Sequence, residues 1–293
     1  MNKKHLVFII NPKSGVERQK EIKNAIDAHL DKEKYSYELL YTEFAKHGTV
    51  LAREAAKHGA YAVVAVGGDG SVNDVLKGLL DTNTLLAIIP KGSGNGMART
   101  LKIPLDINEA IKMINKGNTA TIDIGLANGE AFISNAGVAF DALISKKFAK
   151  SERRGLFVYS WLVTKYMWLY KEWDWQITID GKALPKKRAF MVNVANGQQF
   201  GYNFKIAPMA DFSDGLFDLI IIRKFPKIFG GMLVVRAMTG TITKSPYVEH
   251  MRGKEITISH PSLRLMQTDG DAHACENTIN FRILPGAIKV IVP

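Results

Sequence analysis

In the first 125 residues, compact apolar runs alternate with longer stretches in which apolar residues return every three or four positions. The runs His5–Ile10, Tyr35–Tyr41, Tyr61–Val66 and Leu85–Pro90 read as strands, and helical spacing follows each at Glu17–Leu30, Thr49–His58, Val72–Leu80 and Ile107–Asn115. Strands joined through single helices predict a parallel sheet with right-handed crossovers. Beyond Thr121 the pattern changes to short alternating runs: Ala131–Asn135, Trp175–Asp180, Ala189–Ala195, Leu216–Arg223, Glu255–His260, Arg264–Thr268, Thr278–Leu284 and Ala287–Val292. Turn pairs such as Asp180-Gly181, Asp214-Gly215 and Asp269-Gly270 divide them, which predicts an antiparallel sheet or sandwich. The boundary between the two textures falls near Ile122–Leu126. One segment breaks the β pattern: Gly155–Tyr170 has the length of a helix and is crowded with aromatics, with Lys165 cutting its apolar run.

Ligands on parallel sheets collect at the strand C-termini. Three glycine-rich segments fall there: Asn11-Pro12-Lys13-Ser14-Gly15, then Gly67-Gly68-Asp69-Gly70 with a helix predicted from Ser71, then Lys91-Gly92-Ser93-Gly94-Asn95-Gly96. Glycines let a main chain approach a ligand closely, and a helix N-terminus offers N–H groups to phosphate. An Asp-Gly pair is also an ordinary turn. Three such loops on one sheet edge point to a phosphate site.

Composition narrows the picture. A net charge of +11 predicts a polyanionic neighbour, either anionic lipid or phosphorylated ligands. The basic residues are scattered and match no nucleic-acid-binding motif, so no nucleic acid is expected as a partner. The single cysteine, Cys275, excludes an intrachain disulfide framework and fits a reducing compartment, and with His273 it lacks the further ligands of a zinc site. Leu6–Ile10 is too short for a signal-peptide core, and no run approaches the roughly 20 apolar residues of a membrane span. The aromatic segment 155–170 reads either as a helix packed on a sheet or as a membrane-facing surface, with Lys146, Lys147, Lys150, Arg153 and Arg154 nearby to meet anionic head groups.

The ordered set NPKSG, GGDGSVNDV, IIPKGSGNGMARTLKIP, DIGLANGEAFISNAGVAFDA, APMADFSDGLFDL and QTDGD resembles the bacterial diacylglycerol kinase family, which includes YegS-like proteins and is related to sphingosine kinases. The likeness spans essentially the whole chain. It implies a three-layer α/β nucleotide-binding domain of the NAD kinase and phosphofructokinase type over residues 1–125. A C-terminal β-sandwich for the lipid would follow over 126–284, and whether the last strand, 285–293, returns to the first domain stays open. The implied activity is phosphorylation of a lipid hydroxyl, on diacylglycerol or a long-chain base, by ATP and Mg²⁺. The implied setting is the cytoplasm, peripheral to the inner face of the membrane, with a homodimer as a further option.

Carried onto this chain, the resemblance assigns ATP to Asn11, Pro12, Lys13, Ser14, Gly15, Thr42, Gly67, Gly68, Asp69, Gly70, Ser71, Asn73, Gly92, Ser93 and Asn95. It assigns metal to Asp69, with Asp123 linked to it. A structural magnesium site would involve Asp211 and Leu216 through their carbonyls and Asp214 through its carboxylate. Asp269 is implied as the general base, with Asp271 beside it where the family carries Glu. The second loop departs from the family's GTxND: Gly96 stands where an aspartate is common, closer to the sphingosine kinase form. Two alternatives remain, a soluble-substrate kinase of the NAD kinase type and a non-catalytic lipid-binding protein regulated by nucleotide.

Overall fold

A computed structural model describes residues 3–12, 16–92, 94–151, 156–200 and 203–293. The chain divides into two compact units, one formed by Met1–Ile122 with Gly286–Pro293, the other by Asp123–Pro285.

The first unit follows the alternation read from the sequence. Its elements are β1 (Lys4–Ile10), α1 (Val16–His29), β2 (Tyr35–Tyr41), α2 (His47–Lys57), β3 (Ala62–Gly67), α3 (Asp69–Leu79), β4 (Leu85–Pro90), α4 (Gly96–Thr100), α5 (Ile107–Lys116) and the start of β5 (Thr119–Ala127). β4, β3, β1 and β2 lie side by side, all parallel. β3 and β4 are buried along their whole length, as expected of strands covered on both faces. α5 opens on a capping aspartate, Asp106, which accepts the Glu109 N–H, and closes on left-handed Gly117. α3 begins at Asp69, two residues before the predicted start, because Gly68 already serves as its N-cap.

The second unit contains β6 (Glu130–Phe132), β7 (Asn135–Ala139), α6 (Phe140–Ala149), α7 (Leu156–Leu169), β8 (Trp173–Ile179), β9 (Lys182–Ala183), β10 (Lys187–Ala195), β11 (Phe217–Arg223), α8 (Gly230–Met238), β12 (Val248–Gly253), β13 (Glu255–Ser259), β14 (Leu265–Thr268), β15 (Asp271–Ala274) and most of β16 (Thr278–Ile291). β10 is central, antiparallel to β7, β8 and β11. β11 shows how the sheet feeds two cores. Phe217, Leu219 and Ile221 enter an all-β core with Trp175, Phe132 and Phe281, while Ile220 and Ile222 face a second core beneath α6, α7 and α8. On β10 a register shift between Ala189 and Met191 changes the phase, so that Phe190 and Met191 both join the helical core.

Beyond α4, β5, β9, α8, β12 and β15, which the sequence reading does not contain, three details differ from it. The run Ala131–Asn135 is split between β6 and β7, because the N–H groups of Ile133 and Ser134 are turned to a side chain. The last two predicted strands are one, bending through Pro285 and left-handed Gly286, and Val290 then pairs in parallel with Leu86. α6 had no counterpart in the sequence reading, because its N-terminal half is too uniformly apolar to show a period.

Candidate functional site

In the first unit, two glycine loops meet main chain to main chain. A Cβ placed on Gly92 would lie 2.4 Å from the Gly68 Cα, so the second loop tolerates no side chain there, and one on Gly68 would approach the Gly92 Cα to a tight 3.1 Å. The Lys91 N–H donates to the Gly67 carbonyl at 2.8 Å, carrying the β3–β4 ladder up to the contact. Asn95 closes the second loop: its Oδ1 accepts the Gly92 N–H at 3.0 Å and its Nδ2 donates to the Gly92 carbonyl at 2.8 Å, with Asn95 itself left-handed. Its amide is thereby used to shape the loop. The Asp69 carboxylate reaches across and accepts the Met97 N–H at 3.3 Å. Burial pushes the Asp69 carboxyl above its ordinary range, against the opposing pull of main-chain N–H groups at Met97, Gly96 and Asn95.

The first turn of α3 adds N–H groups with no partner within the helix. Asn73, in its second turn, is buried, and its Oδ1 has no hydrogen-bond partner among the described residues. A half-buried carboxylate and a buried unpartnered oxygen beside glycine loops are donors of the kind a hard cation takes along with phosphate oxygens. Thr42 is tied to this edge of the sheet, its N–H donating to the Ile10 carbonyl at 3.0 Å, one residue before Asn11 and Pro12. Lys13, Ser14, Gly15 and Ser93 lie outside the described residues.

In the second unit, Asp269 and Gly270 form the two-residue turn between β14 and β15, both left-handed, with Thr268 paired to Asp271. The side chain of Asp269 does more than cap a turn. Its carboxylate accepts the N–H groups of Ile133 at 2.8 Å, Ser134 at 2.8 Å and Asn135 at 3.2 Å, which fixes its orientation. Asp271 opens β15 and is exposed.

Behind the turn lies a buried polar cluster that sequence reasoning missed. Asp141, in the first turn of α6, accepts the Asn193 and Gln267 side-chain amides, each at 2.9 Å. Gln267 also donates to Asn135 Oδ1 at 2.8 Å and accepts the Gly270 N–H at 2.8 Å. Burial pushes the Asp141 carboxyl up to about 6, while the two amide donors pull it down. The signal was present in the sequence: a lone acid within the apolar stretch Gly137–Ala142.

The segment assigned to a structural magnesium is a turn in which aspartate carboxylates accept main-chain N–H groups. Asp211 Oδ1 accepts the Ser213 N–H at 3.0 Å, and Asp214 Oδ1 accepts the Leu216 N–H at 3.0 Å. The other Asp214 oxygen pairs with the Arg252 guanidinium. Asp123 joins the same turn, its buried carboxylate accepting the Gly215 N–H at 2.7 Å. Among the described residues no group of three His, Cys, Asp or Glu side chains is gathered as metal ligands.

The second unit also carries an exposed apolar surface. On α7, Leu162 is buried in the helical core, whereas Phe157 is 85% exposed and Trp161, Trp168 and Leu169 are also exposed. Next to it, Gly230 packs against Met167, bringing in exposed Ile228 and, on α8, exposed Val235 and Met238. Lys165 lies over the Trp161 ring at 4.8 Å, and Lys147 over Tyr166 at 4.9 Å. Lys146, Lys150 and Lys224 are exposed nearby in the sequence of these elements, while Arg153 and Arg154 lie outside the described residues. Among the described residues no helix is long and apolar enough to cross a membrane.

Comparison with known proteins places these features in context. Residues 5–127 match the diacylglycerol kinase catalytic domain, and residues 134–292 match the YegS C-terminal NAD kinase beta sandwich-like domain. A diacylglycerol kinase of Staphylococcus aureus is 30% identical over 297 residues, covering 99% of this chain and 93% of the relative. A probable lipid kinase YegS-like protein of Chromohalobacter salexigens is 28% identical over 253 residues, 84% of this chain and 80% of the relative. A diacylglycerol kinase crystal structure from Bacillus anthracis superposes with a TM-score of 0.76 at 22% identity, covering 100% of this chain and 98% of that one. An NAD kinase from Archaeoglobus fulgidus in complex with ATP has a TM-score of 0.54 at 13% identity, over 98% and 93% of the two chains, a likeness of fold alone.

Proposed function

Because this chain belongs to the diacylglycerol kinase family of lipid kinases, we propose that it transfers the γ-phosphoryl group of ATP, with Mg²⁺, to the hydroxyl of a membrane lipid. The observation that carries the nucleotide half of this reading is the Gly68–Gly92 contact with Asp69 beside it. Two main chains in contact, next to the open first turn of α3, make a surface of N–H groups suited to phosphate oxygens. Bound magnesium would neutralise phosphate charge, with Asp69 the carboxylate to hold it and Asn73 Oδ1 a neighbouring oxygen.

Phosphoryl transfer asks for positioning and charge neutralisation more than for covalent chemistry. Asp269 takes the proton of the acceptor hydroxyl, and its fixed carboxylate supports that role. Asp271, exposed in the same turn, assists. The acceptor is diacylglycerol or a long-chain base. Gly96, standing where an aspartate is common in diacylglycerol kinases, keeps both in view. The exposed aromatics of α7 and the apolar residues 228–238, in a chain of net charge +11, suit peripheral docking on anionic lipid.

The direct test is phosphate transfer from labelled ATP into organic-extractable product by the wild type and Asp69→Ala. The wild type labels lipid, and Asp69→Ala loses at least about a hundredfold in kcat with its fold intact. Retained turnover in the variant, or label entering NAD in place of lipid, would falsify the assignment.

A further inference from the structure

Asp269 owes its position to more than its own turn. The Asp269 N–H donates to the Asn135 carbonyl at 2.8 Å and its carboxylate accepts the Asn135 N–H, so residue 135 grips it from both sides. The Asn135 side chain in turn accepts from Gln267 and, at 3.4 Å, from Asn193. Both of those amides converge on one atom, Asp141 Oδ2. Gln267 is therefore held at both ends: its Nε2 is shared between Asp141 and Asn135, and its Oε1 accepts the N–H of Gly270 within the catalytic turn. An amide whose nitrogen is anchored has its oxygen pointed in one direction, and here that direction is the turn.

The fold makes room for this carboxylate at some cost. A Cβ on Gly137 would meet Asp141 Oδ2 at 2.1 Å, so β7 must carry glycine opposite it. Asn193 Oδ1, also buried, has no partner among the described residues. Stability alone gives little reason to keep a buried acid and an unpartnered amide oxygen where an apolar cluster would serve. A requirement for one geometry of the turn does give a reason.

We infer that Asp141 is a positioning residue for phosphoryl transfer: by orienting Gln267 it fixes the Gln267–Gly270 bond, and with it the placement of the Asp269 carboxylate. It does not touch substrate. The inference rests on the reading of Asp269 as the base, so the test carries Asp269→Asn as a separate arm.

The experiment measures kcat and both KM values per folded molecule for full-length Asp141→Asn, Gln267→Met, the double variant and Asp269→Asn, together with amide hydrogen exchange. Displacing a reacting group by about an ångström costs up to about a hundredfold. The expected result is a fall of about tenfold or more in kcat for each single variant at unchanged KM for ATP, with the double variant no worse than Gln267→Met. Amide exchange across residues 267–271 quickens selectively in Asp141→Asn, a change that a merely structural role would spread over the whole second unit. Asp141→Ser serves in the same design should Asp141→Asn not fold. Additive losses in the double variant, or unchanged kcat in Asp141→Asn while Asp269→Asn is inactive, overturn the inference and leave the base reading standing. Wild-type kcat in Asp269→Asn overturns the base reading and the inference with it.

Discussion

Asp69 and Asp141 are both carboxylates pushed upward by burial, and each sits where a glycine leaves it space or a loop bends towards it. For Asp141 the consequence for stability can be read with its sign. The folded state keeps this proton up to about pH 6, whereas the unfolded chain releases it near the ordinary value of 3.8. Over that interval the folded protein binds more protons, so stability falls as pH rises from about 4 through about 6 and is level above. The contribution is on the order of 3 kcal/mol. Urea denaturation should show the wild type losing stability relative to Asp141→Asn over this interval, and parallel pH dependences would remove the burial penalty from Asp141. Asp69 and Asp269 stand out in the sequence as Asp-Gly pairs, but such pairs are ordinary turns, and it is the ordered resemblance to a family that singles them out, with Asp271, as site candidates. Asp141 was not among them. Its partners Asn193 and Gln267 come from two separate strands and Asn135, which both of those amides also reach, from a third, and no spacing along the chain brings them together.

At the scale of elements, the contact between the β3–α3 and β4–α4 loops decides whether the phosphate surface exists. Gly92→Ala forces a methyl group towards the Gly68 main chain, where overpacking costs about 1–3 kcal/mol. We expect a lower melting temperature together with loss of ATP binding by calorimetry; normal ATP affinity in the folded variant would separate the contact from nucleotide binding. The parallel half was readable because β3 and β4 are buried along their whole length, β1 along most of it, and single helical stretches separate the strands. The antiparallel half was less so. The bulge in β10 changes phase, β6 and β7 part where two N–H groups turn to Asp269, and Pro285-Gly286 bends a strand that its residue types would break. Each of these is a local rule overridden by a distant partner. The apolar surface also belongs to this scale: replacing Phe157, Trp161 and Ile228 by serine should release the protein from anionic vesicles by at least about tenfold in affinity, with turnover of a short-chain acceptor in detergent retained. Unchanged vesicle sedimentation would place membrane docking elsewhere.

On the scale of the whole molecule, two units of different texture are joined by strands that run out of one and back into it, β5 and β16. The first offers a glycine-lined surface suited to phosphate, and the second an oriented carboxylate and an apolar face suited to lipid. A kinase whose acceptor is a membrane lipid needs both kinds of surface, and neither alone accounts for the chain. The most direct measurement incubates the protein with labelled ATP, Mg²⁺ and a mixed lipid extract and identifies the phosphorylated product by mass. The account predicts a phosphorylated lipid alcohol, phosphatidic acid or a long-chain base phosphate, that depends on both Mg²⁺ and Asp69. Label confined to a water-soluble product, or no phospholipid formed across the extract while ATP and lipid both bind, would contradict it.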